Sequence, residues 1–148
     1  MKAVLTRVQR ASVTIDREET HSIGTGFLIL LGITHDDTEE KASKLADKLC
    51  SLRIFEDEQG KINRGLEEVG GEILIISQFT LYGSCRKGRR PEFLNAARPE
   101  TAIPLYEKFV SCVRQKGFRV ETGKFGAYME VDSINDGPFT LVVDTNDL

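Results

Sequence analysis

Apolar residues recur at helical spacing in two stretches of this chain; elsewhere they come in short runs bounded by glycine, asparagine or charge. That pattern bounds the fold. A repeat near 3.6 buries one stripe of a helix, whereas short apolar runs fill strands. The first stripe is Ala42, Leu45, Leu49 and Leu52, within a helix expected over residues 38–54, with Asp37 and Glu40 spaced as a capping box. The second is Ala102, Tyr106, Phe109 and Val113, opened near Pro99 and stopped at Gly117. Residues 2–9, 12–15, 27–33, 72–81, 118–121, 127–132 and 139–144 read as strands, and residues 56–60 as an exposed acidic turn. Several strands are adjacent in sequence, which excludes regular β-α-β alternation. The class that follows is α+β: a mostly antiparallel, barrel-like sheet with two helices packed on one face.

The length of 148 residues fits one domain over 1–148. The longest apolar run, residues 27–31, extends to Ile33 only across Gly32 and is too short to span a bilayer. The N-terminal residues lack the apolar core of a secretory leader, so a cytoplasmic protein is expected. The cysteines Cys50, Cys85 and Cys112 are odd in number and widely spaced, which suggests neither a disulfide framework nor a zinc ribbon. His21 and His35 stand at no triad or metal-ligand spacing from a serine, cysteine or carboxylate and read as surface residues. No phosphate-binding glycine motif is present. Neither a metal nor a cofactor is expected.

A net charge of −3 argues against broad coating of nucleic acid, so any such contact must be local. Arg86-Lys87-Gly88-Arg89-Arg90 puts four cations in five residues. This is either a solvated loop or a phosphate contact. Two other segments stand out. In Ser77-Gln78-Phe79-Thr80-Leu81 an apolar strand gives way to hydroxyl, amide and aromatic side chains. A strand end with convergent polar groups suits a site, and a strand alternating its faces suits the pattern equally. Asn135-Asp136-Gly137-Pro138 reads as a turn between two strands, with a Gly-Pro bond that can be cis.

Taken together, these segments resemble the D-aminoacyl-tRNA deacylase family. Ser77-Gln78-Phe79-Thr80-Leu81 and Asn135-Asp136-Gly137-Pro138-Phe139-Thr140 carry the resemblance. Arg7-Val8-Gln9-Arg10-Ala11-Ser12-Val13, Gly70-Gly71-Glu72-Ile73-Leu74, Lys87-Gly88-Arg89-Arg90-Pro91 and Thr122-Gly123-Lys124-Phe125-Gly126-Ala127 extend it in register over nearly the whole chain. The chain departs from the family pattern at Phe139, where valine is common, and at Asp132-Ser133, where apolar residues are expected.

The resemblance implies a homodimer that hydrolyses D-aminoacyl-tRNA, and glycyl-tRNA formed on tRNA(Ala), at sites on the subunit interface. It implies that Gly137-Pro138 is cis and enters the partner's pocket, where its backbone rejects L-side chains. Ser77, Gln78, Phe79 and Thr80 would form the catalytic segment, with amides near Phe79 and Thr80 holding the ester carbonyl. Phe125, Met129 and Asn135 would line the substrate pocket, and Phe79, Phe125 and Met129 could stack the terminal adenosine. Arg86, Lys87, Arg89 and Arg90 would meet tRNA phosphates. An aminoacyl ester is already reactive and has a vicinal hydroxyl, so positioning plus oxyanion stabilisation can supply much of the rate without a protein base. Substrate-assisted hydrolysis through the tRNA 2′-hydroxyl is therefore favoured over attack by Thr80, which has no evident base in the sequence. Two other classes compete: a non-catalytic tRNA- or origin-binding module using the basic loop, and a hydrolase built on Cys85 with its cationic neighbours.

Overall fold

The computed structural model describes residues 1–148. Strand β1 (Lys2–Ile15) organises the sheet. Along one edge its second half pairs antiparallel with β2 (Glu19–Ile23) and its first half with β3 (Gly26–Gly32); along the other edge it pairs antiparallel with β8 (Met129–Asp144). β3 continues the sheet in parallel to β6 (Glu72–Ser77), and β6 in parallel to β7 (Val120–Thr122). The run 27–31 is apolar at every position because β3 lies between two neighbours and is covered on both faces. The sheet curls until β2 meets β7, where His21 Nδ1 lies 2.6 Å from the Thr122 carbonyl.

Helices α1 (Glu39–Cys50) and α2 (Pro99–Gln115) pack on one face. Their stripes form one core with the inward residues of β1 and β3; Leu5, Phe27, Ile29, Leu45, Leu49 and Phe109 are fully buried. The alternate strand residues Val8, Val13, Leu28, Leu74 and Ile76 make a second core on the opposite face. The α+β, mostly antiparallel, barrel-like architecture is the one the sequence implies. No helix is long and apolar enough to cross a membrane.

Several boundaries differ from the sequence reading, each for a tertiary reason. Residues 2–9 and 12–15 are one strand. The first helix stops at Cys50, leaving Leu52 half-buried beyond its end. Its cap is Thr38, whose hydroxyl accepts from the Lys41 N–H at 3.3 Å. Asp37, the expected cap, is buried and occupied. It lies 2.5 Å from the Met1 ammonium and accepts the Thr34 N–H. The acidic turn after Glu56 joins a small hairpin, β4 (Phe55–Glu56) with β5 (Ile62–Arg64), which the sequence reading did not contain.

The strand expected over 72–81 ends at Ser77, and Phe79–Tyr82 forms one 3-10 turn. The strands expected at 127–132 and 139–144 are halves of the single strand β8. Asn135-Asp136-Gly137-Pro138 is therefore no turn between strands. Asn135 pairs with Val8 and Thr140 with Thr6, so residues 136–139 bulge from the ladder opposite the single residue Arg7.

Candidate active site

At the end of β6 the sheet, the start of α2 and the approach to β8 enclose a cavity of about 310 Å³. That volume lies at the small end of the range that holds small-molecule ligands. Eleven of its 14 lining residues are hydrophobic, so a ligand here loses water from most of its surface. Ser77, Gln78 and Phe79 line its rim from the end of β6, and Phe125 and Met129 wall it from the approach to β8 and its start. Phe125 packs edge-to-face on Tyr106, with ring centroids 6.2 Å apart. Tyr106 is fixed in turn by donating its hydroxyl to the Ile75 carbonyl at 2.8 Å. The wall thus rests on the core rather than on a mobile loop.

The 3-10 turn gives the rim its polar character. Its hydrogen bonds begin at Leu81, whose N–H reaches the Gln78 carbonyl at 3.2 Å; Gly83 reaches Thr80 at 2.9 Å. The amides of Phe79 and Thr80 precede the first of these bonds and have no acceptor within the turn. Two consecutive amides at the start of a helical turn suit a carbonyl oxygen or oxyanion. Thr80 itself lies outside the lining. It is exposed, and its hydroxyl meets the Gln78 side-chain amide rather than a histidine or carboxylate.

Asn135, Gly137 and Pro138 lie outside this cavity within one chain; all three are exposed on β8. The Gly137-Pro138 peptide is cis, as the resemblance implies, and Gly137 has φ +128°, a value that favours glycine. Beneath it lies a residue whose role the sequence reading missed. Arg7 is 5% exposed. Its Nε donates to the Asp136 carbonyl at 3.2 Å and lies 3.2 Å from Asp136 Oδ2; its Nη1 donates to the Ile54 carbonyl at 2.6 Å. The guanidinium also lies 5.1 Å from the Phe139 ring centroid. Phe139, one of the departures from the family pattern, thus packs on the cation that grips the bulge. The available signal was a lone cation between the apolar residues Leu5 and Val8, though both its partners are remote in sequence.

Arg86, Lys87, Arg89 and Arg90 are exposed on one turn, and none takes part in an ion pair. Cys85 is exposed on the same turn and does not line the cavity. Cys50 is half-buried between the helices, where burial pushes its thiol up to about 11, away from the reactive thiolate. No three His, Cys, Asp or Glu side chains stand where they could share a metal ion.

Known proteins give the family. A family model described as D-Tyr-tRNA(Tyr) deacylase matches residues 4–144. The D-aminoacyl-tRNA deacylase of Thermus aquaticus is 55% identical over 147 residues, 99% of this chain and 97% of that protein. The D-aminoacyl-tRNA deacylase of Halalkalibacterium halodurans is 58% identical over 145 residues, covering 98% and 99%. A solved structure of a c-Myc DNA unwinding element binding protein superposes with a TM-score of 0.89 at 42% identity, covering 97% of this chain and 98% of that one. A probable eukaryotic D-amino acid tRNA deacylase shares the fold at a TM-score of 0.84 and 21% identity, covering 96% and 97%. With nearly every residue matched by the family and by relatives more than half identical, the chain belongs to the D-aminoacyl-tRNA deacylase family.

Proposed function

We infer that this protein hydrolyses the ester joining a D-amino acid to the terminal adenosine of tRNA, acting as one domain in the cytoplasm. The observation that carries the reading is the apolar cavity whose edge at Phe79 opens a turn beginning with two consecutive amides, those of Phe79 and Thr80, that have no acceptor in that turn. The aminoacyl-adenosine enters between Phe79, Phe125 and Met129. The ester carbonyl oxygen meets the Phe79 and Thr80 amides, which stabilise the charge it gains as water adds. The tRNA 2′-hydroxyl orients the water and helps move its proton. The ester C–O bond then breaks, the 3′-oxygen takes a proton, and free amino acid leaves. The absence of a base beside Thr80 supports this route over a covalent one.

Chirality is read by Gly137-Pro138 of a second subunit, with Asn135 alongside. β8 pairs with β1 along one edge and is unpaired along the other. It exposes Val131, Ile134 and Val142, an edge that a second copy would cover. A rigid backbone wedge rejects any L-side chain whatever its chemistry, because the rejection is steric. Glycine, without a side chain, passes. The free cations of residues 86–90 take tRNA phosphates.

The deciding experiment compares hydrolysis of matched D-, L- and glycyl-tRNA by the purified protein. Rapid release from the D- and glycyl-substrates with the L-substrate spared is expected. Equal rates on D- and L-forms would remove the wedge from the account. A second reading, nucleic-acid binding without hydrolysis, is favoured by the name of one structural relative. It would be selected by tight RNA or DNA binding with no ester cleaved.

A further inference from the structure

Between the cavity mouth and the basic turn, two aromatic rings stand in solvent. Phe79 is 55% exposed and Phe93 39%. They touch edge-to-face, with centroids 5.1 Å apart and planes at 72°. Phe79 also lines the cavity, so the pair begins where the cavity ends. Phe93 is held from several sides. The Ser84 and Glu92 backbones exchange hydrogen bonds of 2.8 and 3.0 Å that close the hairpin carrying the basic turn. The ring packs so closely on Gly83 that a Cβ there would lie 3.0 Å from Phe93 Cε1. Beyond the ring, His35 Nε2 lies 2.7 Å from the Leu94 carbonyl and the Thr34 hydroxyl donates to the Asn95 carbonyl at 2.6 Å. A core role does not explain a ring pinned this well and left this open, since burial is what normally orders phenylalanine.

Charge identifies the occupant. Residues 82–98 hold five cations against one carboxylate in a chain of net charge −3. A polyanion leaving the cavity for these cations must cross the Phe79–Phe93 pair. Unpaired bases stack on exposed aromatic faces with little regard to identity. We propose that Phe93, braced edge-to-face by Phe79, is the stacking platform for the base of the nucleotide before the terminal adenosine, fixing the direction in which the single-stranded tRNA end leaves the cavity. This subsite rests on the deacylase reading and deepens it: the cavity takes the aminoacyl-adenosine, the platform the next base, and the basic turn the phosphates beyond.

The test compares two substrates that differ in the presence of that base. Phe93→Ala and Phe93→Trp are assayed on D-tyrosyl-tRNA and on D-tyrosyl-adenosine, with solution molar mass measured alongside. Phe93→Ala should lower kcat/KM on the tRNA by roughly 5- to 150-fold, the value of one lost stacking contact. It should leave the rate on D-tyrosyl-adenosine unchanged, and Phe93→Trp should restore the tRNA rate. An equal loss on both substrates, or none on the tRNA, overturns the platform. So does a drop in molar mass in Phe93→Ala, which would assign the ring to a contact between copies. Wild-type protein inactive on both substrates would instead overturn the deacylase reading itself.

Discussion

Residues 135–139 and residues 84–92 look alike as sequence: short, polar, centred on glycine, each leaving regular structure. The fold holds them in opposite ways. The first is spliced into the 16-residue strand β8 and gripped from below by a buried guanidinium that binds its backbone and its carboxylate at once. The second hangs on the Ser84–Glu92 pair of backbone bonds, with four cations free in solvent. A desolvated charge cannot leave its partners without a large loss, so Arg7 makes the bulge stiff. Exposed cations lose little by moving, so the basic turn can adapt to a backbone it meets. Rejection of a wrong substrate needs stiffness, whereas capture of a phosphate chain needs reach.

The comparison breaks most directly at Arg7. Arg7→Ala removes donors to Asp136 and Ile54 and leaves their acceptors without them. The expected cost is about 2–4 kcal/mol in denaturant unfolding. If Gly137-Pro138 is the wedge proposed above, its loosening should lower discrimination between D- and L-aminoacyl-tRNA by at least roughly tenfold, the equivalent of 1.4 kcal/mol. Arg7→Lys keeps the charge but not the fork and should fall between. Lower stability with undiminished discrimination would show that the clamp serves the fold alone.

The basic turn should respond in the reverse sense. Replacing Arg86, Lys87, Arg89 and Arg90 with alanine should change unfolding by less than about 0.5 kcal/mol. The plot of log affinity for tRNA against log salt should flatten by about 3, since each single-strand phosphate contact contributes roughly 0.7 and each duplex contact 0.9. An unaltered slope would route the RNA over another surface.

These contrasts mark what local sequence can and cannot reveal. The stripe of α2, with Pro99 before it and Gly117 after it, is legible because helix periodicity and end signals are local. So is β3, whose apolar run has one sensible place in a sheet. The end of β6 is not legible. Phe79-Thr80-Leu81-Tyr82 has strand propensity, and its turn is set by docking on Gly32, where a Cβ would lie 2.9 Å from that of Leu81. Asn135-Asp136-Gly137-Pro138 carries a true turn signal, overridden because pairing with β1 continues on both sides. Asp37 has cap chemistry, but the Met1 ammonium, 36 residues away in sequence, takes it. In the site, the cavity rim and the wall residue Phe125 could be named from motifs, and Met129 from the family resemblance. Arg7 and Phe93 act through partners that only the fold brings near.

Thr80 tests a subtler side of the comparison, because it follows Phe79 of the cavity rim yet is itself exposed and outside the lining. If it attacked the ester, Thr80→Ala would cost many decades in rate. If its amide, rather than its hydroxyl, meets the carbonyl, the variant should keep its rate within about tenfold, since only the contact with Gln78 is lost. A substrate ending in 2′-deoxyadenosine is the complement and should be hydrolysed slowly. Rapid hydrolysis of that substrate, together with an inactive Thr80→Ala, would move the chemistry from the tRNA to the protein.

His21 is the intermediate case, half-exposed yet joining two strands, and its effect should be the smallest. It bridges β2 to β7 where the curled sheet nearly closes. Its Nδ1 faces the Thr122 carbonyl at 2.6 Å and its Nε2 faces Glu19 Oε1 at 2.7 Å. Glu121 lies 4.0 Å away and is itself paired with Arg119. Only the protonated ring can donate to both acceptors; either neutral tautomer turns a lone pair towards one of them. The Thr122 carbonyl first, then Glu19, therefore raises the His21 pKa above its usual 6.5. A pKa raised on folding stabilises fully below the unfolded value and loses that stabilisation as pH rises through the folded value. The stability difference between wild type and His21→Gln should thus be largest below about pH 6 and shrink above the folded pKa, with a total change of at most about 1 kcal/mol for so exposed a pair. Denaturant midpoints across that range provide the measurement. A difference independent of pH would mean that the ring joins the strands without its charge, and a difference that grows with pH would contradict the assigned donors.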